Sequence, residues 1–257
     1  MRSKISVFLV VSLVVSICAL TILAQEKEQQ AKAFYVREVA VRPSGLMNFI
    51  AGVKELVAQE TEHKFPFPIY AYGTEDFMFY FLAPLGEGTI EDFWKAWGEF
   101  QVKIGQEQGQ KIQKLMEGTT EYHNDGFVVL RPDLSYTPEN PRLKPEEANF
   151  RNWIFYYIEP GKEKETEEVA KKLVALYKSK NIPDGWDTYE VIMGKEAPLY
   201  VIVDRAKNAA DYYSTDYSKL LGEEAKALSV KSLPLLRKLE TKQGWFRPDL
   251  SYIPKEK

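Results

Sequence analysis

His63 and His123 are the only histidines of this 257-residue chain, and Cys18 is its only cysteine. These are the side chains that most often hold transition metals or act as nucleophiles. Neither histidine has a partner at helical spacing, so a metal would need the two to meet in space. Each sits in a polar stretch, Glu62-His63-Lys64 and Tyr122-His123-Asn124. They read as two surface-loop histidines, and no metal site is expected. There is no glycine-rich phosphate loop, no serine nucleophile elbow and no Cys/His pair. No catalytic residue can be named from the sequence.

Charge inside an apolar strand is the next place to look. Arg37 and Glu38 interrupt such a strand on opposite faces, so one of them must point inward. A charge there costs several kcal/mol unless it is paired. Glu190 also falls mid-strand. Arg37, Glu38, Tyr80, Tyr156, Tyr189 and Glu190 are therefore candidates to line a pocket with apolar walls and a few polar groups. The competing reading is a buried ion pair or an edge position facing water. Trp94 and Trp97 on one helix, with Tyr212, Tyr213 and Tyr217 on another, could cradle a flat ligand. Their helical spacing makes most of them core.

One motif occurs twice. Arg131-Pro132-Asp133-Leu134-Ser135-Tyr136-Thr137-Pro138 returns as Arg247-Pro248-Asp249-Leu250-Ser251-Tyr252-Ile253-Pro254. Arg131 and Arg247 could be anion hooks. The simpler reading is structural: proline presets a turn, Asp133 or Asp249 satisfies its amides, each arginine meets a carboxylate, and Tyr136 or Tyr252 packs the strand end. Pro43 and Pro160, and Ile104-Gly105 and Leu221-Gly222, repeat at nearly the same displacement. The chain is a duplicated unit: 33–138, a Pro-rich linker 139–149, and 150–254.

Each unit reads strand-helix-strand-strand-helix-strand, the ferredoxin-like order. In the first, Tyr35 to Arg42 is a strand, with Ser44 as helix cap before the apolar stripe Leu46, Phe49, Ile50, Val53, Leu56 and Val57. Ile69–Tyr72 and Phe77–Leu82 form a hairpin. Thr89 and Asp92 make a capping box for a helix loosened near Gly105 and Gly109. Phe127–Leu130 is the last strand. The second unit repeats this with strands Trp153–Glu159, Thr188–Met193, Leu199–Val203 and Trp245-Phe246. Several strands are apolar on both faces, so each sheet needs a second cover. The other unit's sheet is the expected one.

Arg2 and Lys4 precede an apolar run, Ile5 to Leu23, and the chain turns polar after Ala24. That is the pattern of a secretory signal peptide over residues 1–24, with an uncleaved anchor as the alternative. Export to a periplasmic or extracellular space follows. Cleavage would remove Cys18 and leave no thiol, and loss of Arg2 and Lys4 moves the net charge from −3 to −5. Nothing basic marks a nucleic-acid or membrane partner.

A strand ending in Pro160-Gly161-Lys162, then an amphipathic helix, a hairpin and a second helix, resembles the dimeric α/β-barrel superfamily. That group includes NIPSNAP-like and antibiotic-biosynthesis-monooxygenase-like proteins. The resemblance implies an α+β fold in which two ferredoxin-like units pack their sheets into one barrel, here within a single chain, so a monomer. It further implies three functional classes. The leading one is a binder of a small hydrophobic or aromatic ligand between the sheets. The second is a monooxygenase-like or haem enzyme, with His63 or His123 as haem ligand or no cofactor at all. The third is a structural or partner-binding module with a filled interior. No resident cofactor is expected.

Overall fold

Alternation of side chains decides where the strands lie. In β1 (Ala33–Val41) the odd positions Tyr35, Val39 and Val41 meet helices, while Val36, Glu38 and Ala40 turn the other way. The structure, a computed structural model, describes residues 32–194 and 196–254. The expected leader, 1–24, lies outside the described residues.

After β1 come α1 (Leu46–Glu62), β2 (Tyr70–Thr74), β3 (Met78–Pro84), α2 (Ile90–Met116) and β4 (Thr120–Leu130). The second half has β5 (Phe150–Ile158), α3 (Glu163–Ser179), β6 (Trp186–Met193), β7 (Leu199–Ala206), α4 (Ala209–Ser214), α5 (Ser218–Ser232) and β8 (Leu236–Phe246). The eight strands close one antiparallel barrel in the order β1-β3-β2-β8-β5-β7-β6-β4. Closure removes every sheet edge. Two seams join the halves: β2 to β8 with Gly73 opposite Trp245, and β4 to β6 with Val129 opposite Glu190. The first seam requires glycine at 244, where a Cβ would meet the Gly73 carbonyl oxygen at 2.1 Å.

Large aromatics anchor the helices to the outer face. Phe49 and Phe65 are each 1% exposed, and burying such a side chain is worth about 1.5–3 kcal/mol. Thr89 and Asp92 form the capping box that starts α2. Ser44 does not cap α1: it lies in a single 3₁₀ turn, Pro43–Gly45, and the cap position falls on Gly45. The last helix of each half, α2 and α5, is broken at a glycine, Gly105 (φ 74°) and Gly222 (φ 62°). Gly109 stays helical.

Two strands are longer than their apolar cores suggest. β4 begins at Thr120, so His123 is a strand residue paired with Val39 and not in a loop. β8 begins at Leu236, well before the expected strand Trp245-Phe246, and pairs along the whole of β5. Among the described residues no helix is long and apolar enough to cross a membrane, and no cluster of His, Cys, Asp and Glu is placed to hold a metal.

Candidate functional site

An apolar-walled cavity lies outside the barrel, between the first half's sheet and its two helices. It has a volume of about 220 Å³. Tyr35, Arg37 and Val39 of β1, Phe81 of β3 and His123 of β4 form its floor; Val53, Leu56, Val57 and Glu60 of α1, with Trp94 and Trp97 of α2, form its roof. β1 and α1 place these groups by period. Odd positions of the strand face the helices, and Glu60 continues the α1 stripe one turn beyond Leu56 and Val57.

Two polar features stand in this apolar space. One is a triad at the rim. Arg37 grips Asp125 with two hydrogen bonds, Nε to Oδ1 at 2.7 Å and Nη2 to Oδ2 at 3.0 Å, and the Tyr35 hydroxyl donates to Oδ1 at 2.5 Å. Burial alone would raise the Asp125 carboxyl, but the Arg37 and Tyr35 hydrogen bonds outweigh it and hold the group below the usual carboxylate range. The Tyr35 phenol is pushed up by burial and by Asp125. The other feature is Glu60. It is 1% exposed and its carboxyl has no hydrogen bond or ion pair among the described residues. Burial pushes it up to about 8. A buried carboxyl without a donor stays protonated until the pH is well above neutral, which makes it an acid or base usable near pH 8.

The barrel lumen holds a second, smaller cavity of about 120 Å³. Glu38, Tyr80 and Tyr189 line it, with Trp153, Phe155 and Tyr157. The six pocket candidates therefore do not share one pocket. Arg37 belongs to the helix-side cavity of the first half. Tyr156 lines a helix-side cavity of the second half, about 110 Å³. Glu190 faces neither large cavity; it accepts from Arg131 at 2.6 Å. The physical reason is the pleat: neighbours along a strand face opposite sides of a barrel wall, so Arg37 and Glu38, or Tyr189 and Glu190, cannot meet in one space.

His63 sits half-buried at the end of α1, its ring 6.4 Å from that of Phe100. It lines none of these cavities. His123 is exposed at the rim of the first. Trp94 and Trp97 roof the cavity, whereas Tyr213 is 70% exposed and Tyr217 donates to Asp184 at 2.6 Å. Glu60 is the residue that sequence reasoning passed over. The signal was present: an acid at the next helical position of an otherwise apolar stripe.

The two copies of the repeated motif occupy the seams. Arg131 pairs with Asp133, Glu167 and Glu190, and Tyr136 donates to the Ile182 carbonyl of the second half at 2.7 Å. Arg247 pairs with Asp249, and Tyr252 donates to the Phe65 carbonyl of the first half at 2.8 Å. Ser135 and Ser251 each accept a backbone N–H from the opposite half, Thr188 and Ala71. Each half thus ends by fastening itself to the other.

No family model matches the chain, and no curated protein matches it in sequence. Solved structures do match it in three dimensions. An anthrone oxidase-like protein superposes with a TM-score of 0.58 at 9% identity, covering 84% of this chain and 91% of that one. The dimeric α/β barrel is the architecture it shares with this chain. This chain has the dimeric α/β-barrel fold. A monooxygenase-like protein from Lactobacillus acidophilus NCFM gives a TM-score of 0.50 at 8% identity over 88% of this chain and 97% of that one. Chlorite dismutase from Candidatus Nitrospira defluvii, in complex with imidazole, gives 0.50 at 13% over 87% and 96%. At such identities the likeness is one of fold, and the barrel's chemistry rests on its residues.

Proposed function

We propose that the protein binds a planar phenol of one or two fused rings in the helix-side cavity of its first half and oxygenates it with dioxygen, without haem. The observation that carries this is Glu60: a buried, unpaired carboxyl among aromatic walls. Its carboxylate accepts the phenol proton, and the match between its raised pKa and that of a phenol makes the transfer nearly balanced. Trp94, Trp97 and Phe93 give the flat faces. For 1-naphthol the overall change is one naphthol and one dioxygen to one 1,4-naphthoquinone and one water. The monooxygenase-like and anthrone oxidase-like relatives in fold support the reaction class.

The residues do not fit haem. The second half has no histidine, His63 lines none of the cavities described above and His123 lies at the exposed rim of the first. A cavity of about 150 Å³ holds a single benzene ring, so about 220 Å³ suits two rings and not a tetrapyrrole.

The test is oxygen uptake with 1-naphthol. Wild type is expected to consume one dioxygen per quinone, with a rate that rises through about pH 8, and Glu60→Gln is expected to lose at least tenfold. Binding without uptake would reduce the protein to a ligand carrier. No binding would remove the reading.

Three further readings belong with it. The halves are tandem ferredoxin-like units, each with strand order 4-1-3-2, and the paired bulges at Ala40/Val41 and Tyr157/Ile158 support this. The chain is a monomer that supplies both units itself, over 33–138 and 150–254; native mass spectrometry checks this. It is exported after loss of residues 1–24, which amino-terminal sequencing of the mature protein checks.

A further inference from the structure

The lumen cavity contains an unexplained polar atom. Tyr80 is 8% exposed, and its hydroxyl is a buried side-chain polar atom with no hydrogen-bond partner. Leaving such a group unpaired costs about 1–3 kcal/mol, so it is normally retained only where something else satisfies it. The ring is fixed: it packs against Trp153 at 5.9 Å and against Met78 and Ala40. The hydroxyl therefore cannot swing away to water. It opens on about 120 Å³ of space walled mainly by Val36, Leu82, Val191, Val201, Val203 and Phe155.

We infer that the barrel lumen is a second ligand site, separate from the helix-side cavity, that takes a small neutral ring or short chain bearing one hydroxyl or carbonyl oxygen. Size, walls and the lone donor set this class. The space is close to the roughly 150 Å³ that accepts benzene when lined by aliphatic and aromatic groups. The walls reward apolar surface. Tyr80 keeps its proton, because burial and the Glu38, Asp76 and Glu240 carboxylates all push it up, so it donates. The same carboxylates, with Glu240 at the mouth, disfavour an anion. Lys242 at that mouth is already committed to Asp76 and Glu240. The helix-side cavity differs in every respect: nearly twice the volume, an acid in place of a neutral donor, and an arginine at its rim.

Methyl NMR of the full-length protein, titrated with phenol, benzene and benzoate, separates the two sites. Val191, Val201 and Val203 report the lumen; Val53 and Val57 report the helix-side cavity. Phenol and benzene are expected to shift the lumen methyls and benzoate is not. Tyr80→Phe is expected to weaken phenol about tenfold at those methyls and to leave benzene unchanged. An unchanged phenol affinity in Tyr80→Phe would overturn the role of the hydroxyl. Lumen methyls unmoved by millimolar phenol in wild type would overturn the site, leaving ordered water as the partner of Tyr80. Neither result bears on shifts at Val53 and Val57, so the helix-side reading stands or falls separately. Should Tyr80→Phe fold poorly, nuclear Overhauser contacts between phenol and Val201 in wild type decide the matter alone.

Discussion

The two halves share one topology, yet their helix-side faces have opposite characters. The bulges align β1 with β5, so Tyr35, Arg37 and Glu60 of the first half stand where Asn152, Ile154 and Tyr177 stand in the second. In the first half the polar groups border a cavity of about 220 Å³. In the second, the Tyr177 ring packs against Trp186, with centroids 4.8 Å apart, and the helix-side space is smaller, about 110 Å³. The buried acid of the second half, Asp204, is hydrogen-bonded by Asn152 at 3.2 Å and Tyr212 at 3.3 Å. Burial pushes it up to about 6 against those bonds. Glu60 has no such donors. One half pairs its acid and has the smaller space; the other has an acid without a donor beside a cavity about twice as large. An unpaired buried acid lowers stability, and in the proposed function it is the working group of the first half.

The largest test of this contrast is pH. Unfolded, Glu60 titrates near 4.3; folded, it titrates at about 8. Between these values the folded state holds a proton that the unfolded state has released. The contribution of Glu60 to stability is therefore full below about pH 4, falls as pH rises, and levels off above about 8. Across that window wild type is expected to lose about 3–5 kcal/mol from this group. Glu60→Gln should remove most of that slope, as read from urea melts at several pH values. A slope unchanged by the substitution would mean Glu60 is solvated or paired.

A smaller effect sharpens the packing side. Tyr177→Ala empties a filled space and is expected to cost about 2–4 kcal/mol. Glu60→Ala at the matching position, measured at pH 8, is expected to cost little or to stabilise. Equal losses would erase the distinction between the halves.

The smallest concerns the seams. Arg131 reaches three carboxylates and its side chain is 19% exposed, whereas Arg247 reaches one and is 28% exposed. Arg131→Ala is expected to cost about 1–3 kcal/mol and Arg247→Ala under about 1 kcal/mol. The identical motif suggests equal effects; the neighbours Glu167 and Glu190 make them unequal. Thermal melts of both variants check the order.

Much of the fold was legible because it is written in periods. The apolar runs of β1, β3, β5 and β7, which need cover on both faces, and the stripe of α1 follow from burial on defined faces. The first turns of β4 and β8 were not legible, since Glu121-Tyr122-His123-Asn124 and Arg237-Lys238 are exposed strand residues that carry loop composition. Their strand character comes from pairing with β1 and β5, a long-range effect that no local window contains. The candidate site was half legible. Glu38, Tyr80 and Tyr189 border the lumen, but the cavity with Glu60 depends on which side chain fills each helix-sheet space. The repeated motif makes the halves look equivalent in sequence, and differences at matching positions, such as Glu60 and Tyr177, set them apart.

The most direct measurement is methyl NMR of the protein with 1-naphthol, which is too large for the lumen. The asymmetry of the halves requires shifts at Val53, Leu56 and Val57 under α1, and none at Val169 and Leu173 under α3. Shifts at Val169 and Leu173, or no shift under either helix, would contradict the assignment of the first half as the ligand-binding side.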